Sequence, residues 1–395
     1  MGKPIKQINA KIEPGLVSAD RKKTPRPRLR AGILGCTGIV GQHFLRLLHH
    51  HPYFEIAGLF ASERSRGKSW SDPAAGREAL SLTVQEANAE AVLKSKLDLV
   101  FSTLPSTVAG PLESALAARG LAVFSNSSAH RLDGDVPLLI ADVNPAHLLT
   151  LTRAARRRQG GFIVTNSNCC VSGLALAVRP LIRFGIRSLT VSTYQAISGA
   201  GRGGLAAWDI SDNLIPHIGG EEEKINREMN KIFASPLAAV PNSEALPIQA
   251  SCCRVPIRDG HLQSVVVDLE RDVELPEIIT ALARYRSLPQ RLKLPTAPHA
   301  PIIVRPETDR PQPKFDLMAG TPARAAGMAI SVGRLRRHDP SGQPGRGIPG
   351  APGGQPARLA FFLLVHNLIR GAAGGCLLNA ELAWRLGYLQ PRRIG

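Results

Sequence analysis

The sequence predicts an α/β protein of two domains, a parallel sheet wound with helices followed by an α+β unit built on a mixed sheet. Three observations carry this. Apolar strand-like runs alternate with helical stretches up to about residue 167, and the first run enters a glycine turn that opens a helix. Beyond residue 168 the strand-like segments change from continuous apolar runs to strict alternation, the pattern of half-buried strands in an antiparallel or mixed sheet.

Residues 1–28 are basic, rich in Pro and without apolar periodicity, and read as an extension ahead of the fold. Residues 29–35 form an apolar run into a glycine turn, and residues 44–48 continue at helical spacing, which gives strand, turn, helix. Further strands are expected at residues 55–60, 97–101 and 121–124, with helices between them. Residues 188–194 and 264–269 alternate as half-buried strands. Residues 336–358 contain six Gly and five Pro, which reads as a loop. A strand at 360–366 and an apolar helix at 372–384 close the chain.

Composition narrows the function classes. No uninterrupted apolar run is long enough to span a bilayer, and the N-terminus lacks the apolar segment of a secretory signal, so a cytoplasmic protein is expected. The six cysteines, at 36, 169, 170, 252, 253 and 376, include two adjacent pairs and no CxxC spacing, so free thiols are expected rather than disulfides or a metal site. The net charge of +18 raises the question of nucleic acid. Much of that charge sits in the N-terminal extension and in the runs Arg156-Arg157-Arg158 and Arg334-Leu335-Arg336-Arg337, where a solvated arm is the plainer reading.

The glycine turn is Gly35-Cys36-Thr37-Gly38-Ile39-Val40-Gly41, between a strand and a helix. Small residues let backbone approach a pyrophosphate, and the helix N-terminus offers unpaired N–H groups, as in a Rossmann-type dinucleotide-binding domain. At the end of the second strand, where an NAD site carries an acidic residue, stand Ser62, Glu63, Arg64, Ser65, Arg66 and Lys68. Hydroxyls and guanidinium groups there suit the 2′-phosphate of NADP, and Glu63 is the feature that fits it least.

A second constellation is Asn168-Cys169-Cys170 at the start of an apolar helical stretch. A thiol at a helix N-terminus has its thiolate stabilised by the helix dipole. Either cysteine could be the reactive one, and both could simply pack. A nucleophilic thiol needs a group that takes and returns its proton, a role histidine can fill, and His261 stands in the segment from Cys252 to His261; Arg254 could hold a carboxylate through two N–H bonds.

Together these segments resemble aspartate-semialdehyde dehydrogenase of the archaeal and fungal-type branch. The likeness runs from about Leu29 to Gly387 and includes the glycine turn, Ala61 to Ser65, Asn168-Cys169, the stretch Tyr194 to Gly201, Ile218 to Lys224, Arg254 to His261, and His366 to Gly374. The resemblance implies Cys169 as nucleophile, His261 as acid/base and Gln195 as the residue orienting the covalent intermediate. It places the substrate carboxylate on Arg254, the amino group on Glu221 and phosphate on Lys224 and Arg131. Toward NADP it places Gly35, Thr37, Gly38, Ile39 and Val40 at the pyrophosphate, Ser62 and Arg64 at the 2′-phosphate, and Ser198, Gly199 and Asn367 near the nicotinamide. No metal is implied. The expected organisation is an NADP-binding domain over 29–167, completed by the C-terminal helix at about 366–390, and a catalytic and dimerisation domain over 168–365.

The implied activity is NADPH-dependent reductive dephosphorylation of L-4-aspartyl phosphate to L-aspartate 4-semialdehyde, by a homodimer or homotetramer without nucleic acid or membrane partners. This sequence departs from the family pattern in having Ser167 where Pro is usual and Cys170-Val171 where Ser-Thr is usual. Two enzyme alternatives share the thiol, the histidine and the dinucleotide fold: a malonyl-CoA reductase and an N-acetyl-gamma-glutamyl-phosphate reductase-like enzyme. A noncatalytic basic protein binding nucleic acid or another partner is the alternative of a different class.

Overall fold

The structure is a computed structural model that describes residues 27–68, 82–151, 160–234, 245–338 and 357–392. The basic extension up to residue 26, the run 156–158 and residues 339–356 of the Gly/Pro-rich stretch lie outside these.

The first sheet has seven strands: β1 (Leu29–Leu34), β2 (Phe54–Ala61), β3 (Val84–Glu86), β4 (Leu99–Ser102), β5 (Ala122–Ser125), β6 (Leu138–Leu139) and β7 (Phe162–Asn166), in the order β3-β2-β1-β4-β5-β7-β6. Every pairing is parallel. Both faces are covered, which is why the strands read as continuous apolar runs. Ala31, Ile33 and Phe101 pack with α1 (Ile39–Leu48) and with a helix from the far end of the chain. Leu34, Phe60 and Val100 face the other way, toward α2 (Ala89–Lys94) and α3 (Ser106–Ala118).

Past β7 come α4 (Cys169–Val178) and the mixed sheet: β8 (Ile186–Gln195), β9 (Ile248–Arg254), β10 (His261–Leu269), β11 (Ile302–Arg305), β12 (Ile330–His338) and β13 (Ala357–Val365), ordered β11-β12-β13-β10-β8-β9. Side chains of β10 alternate between buried and half-buried along its whole length, as the period-2 pattern requires. The inner face of this sheet packs on α4, α5 (Glu221–Phe233) and α6 (Leu275–Ala283). The Gly/Pro-rich stretch differs at its ends from the loop its composition predicts: β12 continues through His338 and β13 begins at Ala357. Antiparallel pairing of Arg336 with Ala360 and of Arg337 with Leu359 holds those ends in the ladder, whatever the local propensity.

After β13 the chain makes one π-helical turn, Ile369–Ala373, and enters α7 (Gly374–Arg385). Residues of α7 from Cys376 to Trp384 pack in the core of the first sheet. Leu288, Leu294, Ala297, Ala325 and Met328, all later in sequence than β10, pack there too. A fully buried cluster fastens these pieces: Glu381 of α7 bonds His51 Nε2 at 2.9 Å and also takes the hydroxyl and main-chain N–H of Thr296.

Candidate active site

The mixed sheet delivers four of the expected residues to one end. Parallel pairing of β8 and β9 sets their last residues, Gln195 and Arg254, side by side. Because β10 runs antiparallel to β8, its first residue, His261, lies at that same end. β13 is antiparallel to β10, so it finishes beside His261, and Asn367 follows two residues later. On the other side, β7 hands the chain to α4, whose first residue is Cys169.

Asn168 caps α4: its side-chain Oδ1 accepts the N–H groups of Cys170 at 2.8 Å and Val171 at 3.3 Å. Its Nδ2 donates to Glu221 Oε1 at 2.8 Å, and its main-chain N–H donates to Glu228 Oε2 at 2.6 Å. The turn that presents the thiol is therefore held on three sides. Gly371, in the π-helical turn, is a necessary neighbour: a Cβ there would lie 2.8 Å from Cys169 Cβ. Gly173 has the same function one turn later, where α4 passes close over Val365 of β13.

Cys169 Sγ lies 3.2 Å from His261 Nε2. His261 is fully buried, and its Nδ1 accepts the main-chain N–H of Ala196 at 3.0 Å. That bond requires an unprotonated Nδ1, so the neutral ring carries its proton on Nε2, facing the sulfur. A thiol donor to Cys169 comes from Cys170, which is itself completely buried. The Cys170 S–H, then the neighbouring His261, then Arg131 at longer range hold the Cys169 thiol well below its ordinary range, against the opposing effect of burial. Burial, followed by the adjacent Cys169, pushes Cys170 well above it. The two sulfurs and the imidazole nitrogen lie within 4.8 Å of one another. With a proton rather than a lone pair on Nε2, this set is built to stabilise a thiolate and is poorly suited to gripping a cation.

Gln195 Nε2 donates to Glu221 Oε1 at 3.2 Å, and Lys224 Nζ stands 3.8 Å from Glu221 Oε2. Arg254 Nη1 donates to the Ala196 carbonyl at 2.8 Å, so the peptide groups of Ala196 fix both Arg254 and His261. Gly199 sits against both: a Cβ there would come 2.7 Å from Arg254 Nη1 and 3.2 Å from the His261 ring. Asn367 joins the same assembly, accepting from Gly260 N–H and donating to Ser198 Oγ, each at 2.8 Å. Arg131 is paired with Glu228 at 2.9 Å and bonds the Asn126 carbonyl at 2.8 Å.

The dinucleotide turn lies between β1 and α1. Gly35 has a φ of +82°, and a Cβ on Gly41 would fall 2.3 Å from the Gly35 carbonyl oxygen, so both positions need glycine. Gly38 is the N-cap of α1, with no side-chain cap and no acidic residue in the first turn. Thr37, Ile39 and Val40 complete this turn, which has the backbone for an anion such as a pyrophosphate. Ser62 and Arg64 are exposed just past β2, around the short turn Glu63–Ser65. Arg202 reaches across from the mixed-sheet half to donate to the Thr37 carbonyl at 2.8 Å.

Comparison with known proteins agrees with this layout. The family model for the semialdehyde dehydrogenase NAD-binding domain matches residues 30–151, and that for the semialdehyde dehydrogenase dimerisation domain matches residues 178–344. An aspartate-semialdehyde dehydrogenase of Archaeoglobus fulgidus is 39% identical over 366 residues, 90% of this chain and 98% of that protein. The chain belongs to the aspartate-semialdehyde dehydrogenase family. The crystal structure of such an enzyme with NADP from Candida albicans superposes with a TM-score of 0.75 at 35% identity, covering 91% of this chain and 99% of that one. A malonyl-CoA reductase (NADP) of Metallosphaera sedula is 36% identical over 377 residues, covering 93% of this chain and all of that protein.

Within this family frame, sequence reading missed Glu228 and the part Asn168 plays as anchor of the nucleophile turn. The signal for Glu228 was present: the buried stripe of α5 is Glu221, Ile225, Glu228, Met229 and Ile232, so two carboxylates stand on an otherwise apolar helix face.

Proposed function

We propose that this chain is an NADP-dependent aspartate-semialdehyde dehydrogenase that reduces L-4-aspartyl phosphate to L-aspartate 4-semialdehyde and releases phosphate. The observation that carries the reading is the capped helix-start thiol of Cys169, 3.2 Å from the proton-bearing nitrogen of a buried His261. A thiolate stabilised in this way is a nucleophile at neutral pH. Attack by Cys169 on the acyl phosphate carbon forms a C–S bond and breaks the C–O bond to phosphate, leaving a thioester. Arg131 and Lys224 are the cations proposed for the departing phosphate, Arg254 for the substrate carboxylate and Glu221 for its ammonium group.

The turn from Gly35 to Val40 and the residues Ser62 and Arg64 would hold NADPH, which would supply hydride to the thioester carbon and be oxidised to NADP. Ser198, Gly199 and Asn367 would shape its nicotinamide end. His261 Nε2–H then donates to the oxyanion of the resulting thiohemiacetal, with Gln195 fixing the orientation of that intermediate. Collapse to the aldehyde returns Cys169 to its thiolate, where His261 and Cys170 receive it again. A homodimer or homotetramer in the cytoplasm is the assembly that goes with this reading. No helix among the described residues is long and apolar enough to cross a membrane.

The likeness to a malonyl-CoA reductase along 93% of the chain supports a second reading, reduction of a short acyl-CoA at the same thiol. The experiment is a side-by-side assay of phosphate-dependent NADP reduction by aspartate semialdehyde and malonyl-CoA-dependent oxidation of NADPH. Turnover in the first and none in the second is expected, and the reverse result would overturn the assignment.

A further inference from the structure

The buried face of α5 carries two carboxylates, and the reaction described above uses only Glu221. Glu228 is 2% exposed, and its two oxygens serve different masters. Oε2 accepts the main-chain N–H of Asn168 at 2.6 Å, and Oε1 accepts Arg131 Nη1 at 2.9 Å. We propose that Glu228 is a positioning residue that fixes the turn presenting Cys169 and, through the same carboxylate, balances the charge of Arg131. The proposal rests on the aspartyl phosphate reading for the role it gives Arg131.

Asn168 immediately precedes the nucleophile, and β7 has ended at Asn166, so its N–H lies beyond the last strand residue. Glu228 supplies the acceptor, while Glu221, two helical turns earlier on the same face, takes the Asn168 side chain. The direction of Cys169 is thereby tied to α5, which belongs to a different layer from β7. Arg131 is 9% exposed; its Nη2 bonds the Asn126 carbonyl, and its Nε makes no hydrogen bond to any described residue. Paired with Glu228, Arg131 offers an anion a directed N–H with little excess charge. That arrangement suits a product phosphate that has to leave. Burial raises the Glu228 carboxyl, and Arg131 acts against that rise.

Two substitutions separate charge from reach. Glu228→Gln keeps the length, but its single amide oxygen can face only one of the two partners, and Arg131 loses its counter-charge. Glu228→Asp keeps the charge and falls one methylene short. For Glu228→Gln, the pH midpoint of Cys169 alkylation by iodoacetamide should fall by about one unit, since an unbalanced Arg131 favours the thiolate. Its phosphate KM with aspartate semialdehyde should fall about fivefold, by the same excess attraction. For Glu228→Asp, kcat should fall about tenfold with the alkylation midpoint near that of the parent, because only geometry has changed. If both variants keep the parent's midpoint, kcat and phosphate KM within about twofold, roughly 0.4 kcal/mol, the proposal is overturned. Should Glu228→Gln fail to fold, Glu228→Asp decides alone, and a parental kcat refutes the positioning role. Alkylation needs no substrate, so its shift survives even if the enzyme proves to use another acyl donor, a result that would instead show in the absence of phosphate-dependent turnover by the parent.

Discussion

Two adjacent sulfurs at the start of α4 differ in kind because of where the helix puts them. Cys169 is partly open and faces His261, whereas Cys170 is completely buried and donates to its neighbour. Cys169→Ala is therefore expected to abolish turnover, by about a thousandfold or more, while leaving NADP affinity unchanged. Cys170→Ala should retain turnover but move the Cys169 alkylation midpoint upward, because a donor to the thiolate is lost. Turnover surviving in the first variant and lost in the second would reassign the nucleophile. His261 is readable from local sequence only as a histidine near a turn. Its tautomer depends on the Ala196 N–H, sixty-five residues away in the chain.

At the level of elements, the π-helical turn Ile369–Ala373 sets how closely the chain passes α4. Such turns put one extra residue into a helix and are frequent at functional sites. Here the extra room is taken by the approach of Gly371 to Cys169, where the added methyl of Gly371→Ala would meet Cβ at 2.8 Å and Cα at 2.9 Å. We expect this substitution to lower kcat by about tenfold or more through displacement of the thiol, with KM for NADP changed little. Steady-state kinetics at varied cofactor concentration checks it, and an unchanged kcat would show that the turn can yield. The helical reading of the C-terminal segment missed the π turn, since periodicity cannot register a single added residue.

Across the whole molecule, buried histidines make the fold sensitive to acid. Burial, the largest cause in each case, pushes His147 and His366 from the ordinary 6.5 to about 4. Above pH 6.5 neither the folded nor the unfolded chain protonates them, and between about 6.5 and 4 only the unfolded chain does. Stability therefore falls as pH drops through that window, by about 3 kcal/mol for each histidine, and this contribution levels off below about 4. Urea midpoints measured from pH 7 to 4 should show the fall, and His147→Gln should lessen it. The basic extension is a separate matter of scale. Deleting residues 1–28, all of them ahead of β1, should change kcat/KM less than twofold, whereas a protein acting through a basic arm would lose its activity and show a steep salt dependence.

Features local in the chain are legible in the residues alone: strand, glycine turn and helix at residues 29–48, the helix-start thiol at Cys169, and the switch from continuous to alternating strands near residue 168. These are written in short-range periodicity and in residues with special backbone or proton chemistry. Which side chains meet depends on the folded chain. Strand register brought Gln195, Arg254 and His261 to one sheet end, and α5 lent two carboxylates to the turn before Cys169. Pairing between distant segments is set by packing of the complete core, and no window of the chain contains both partners.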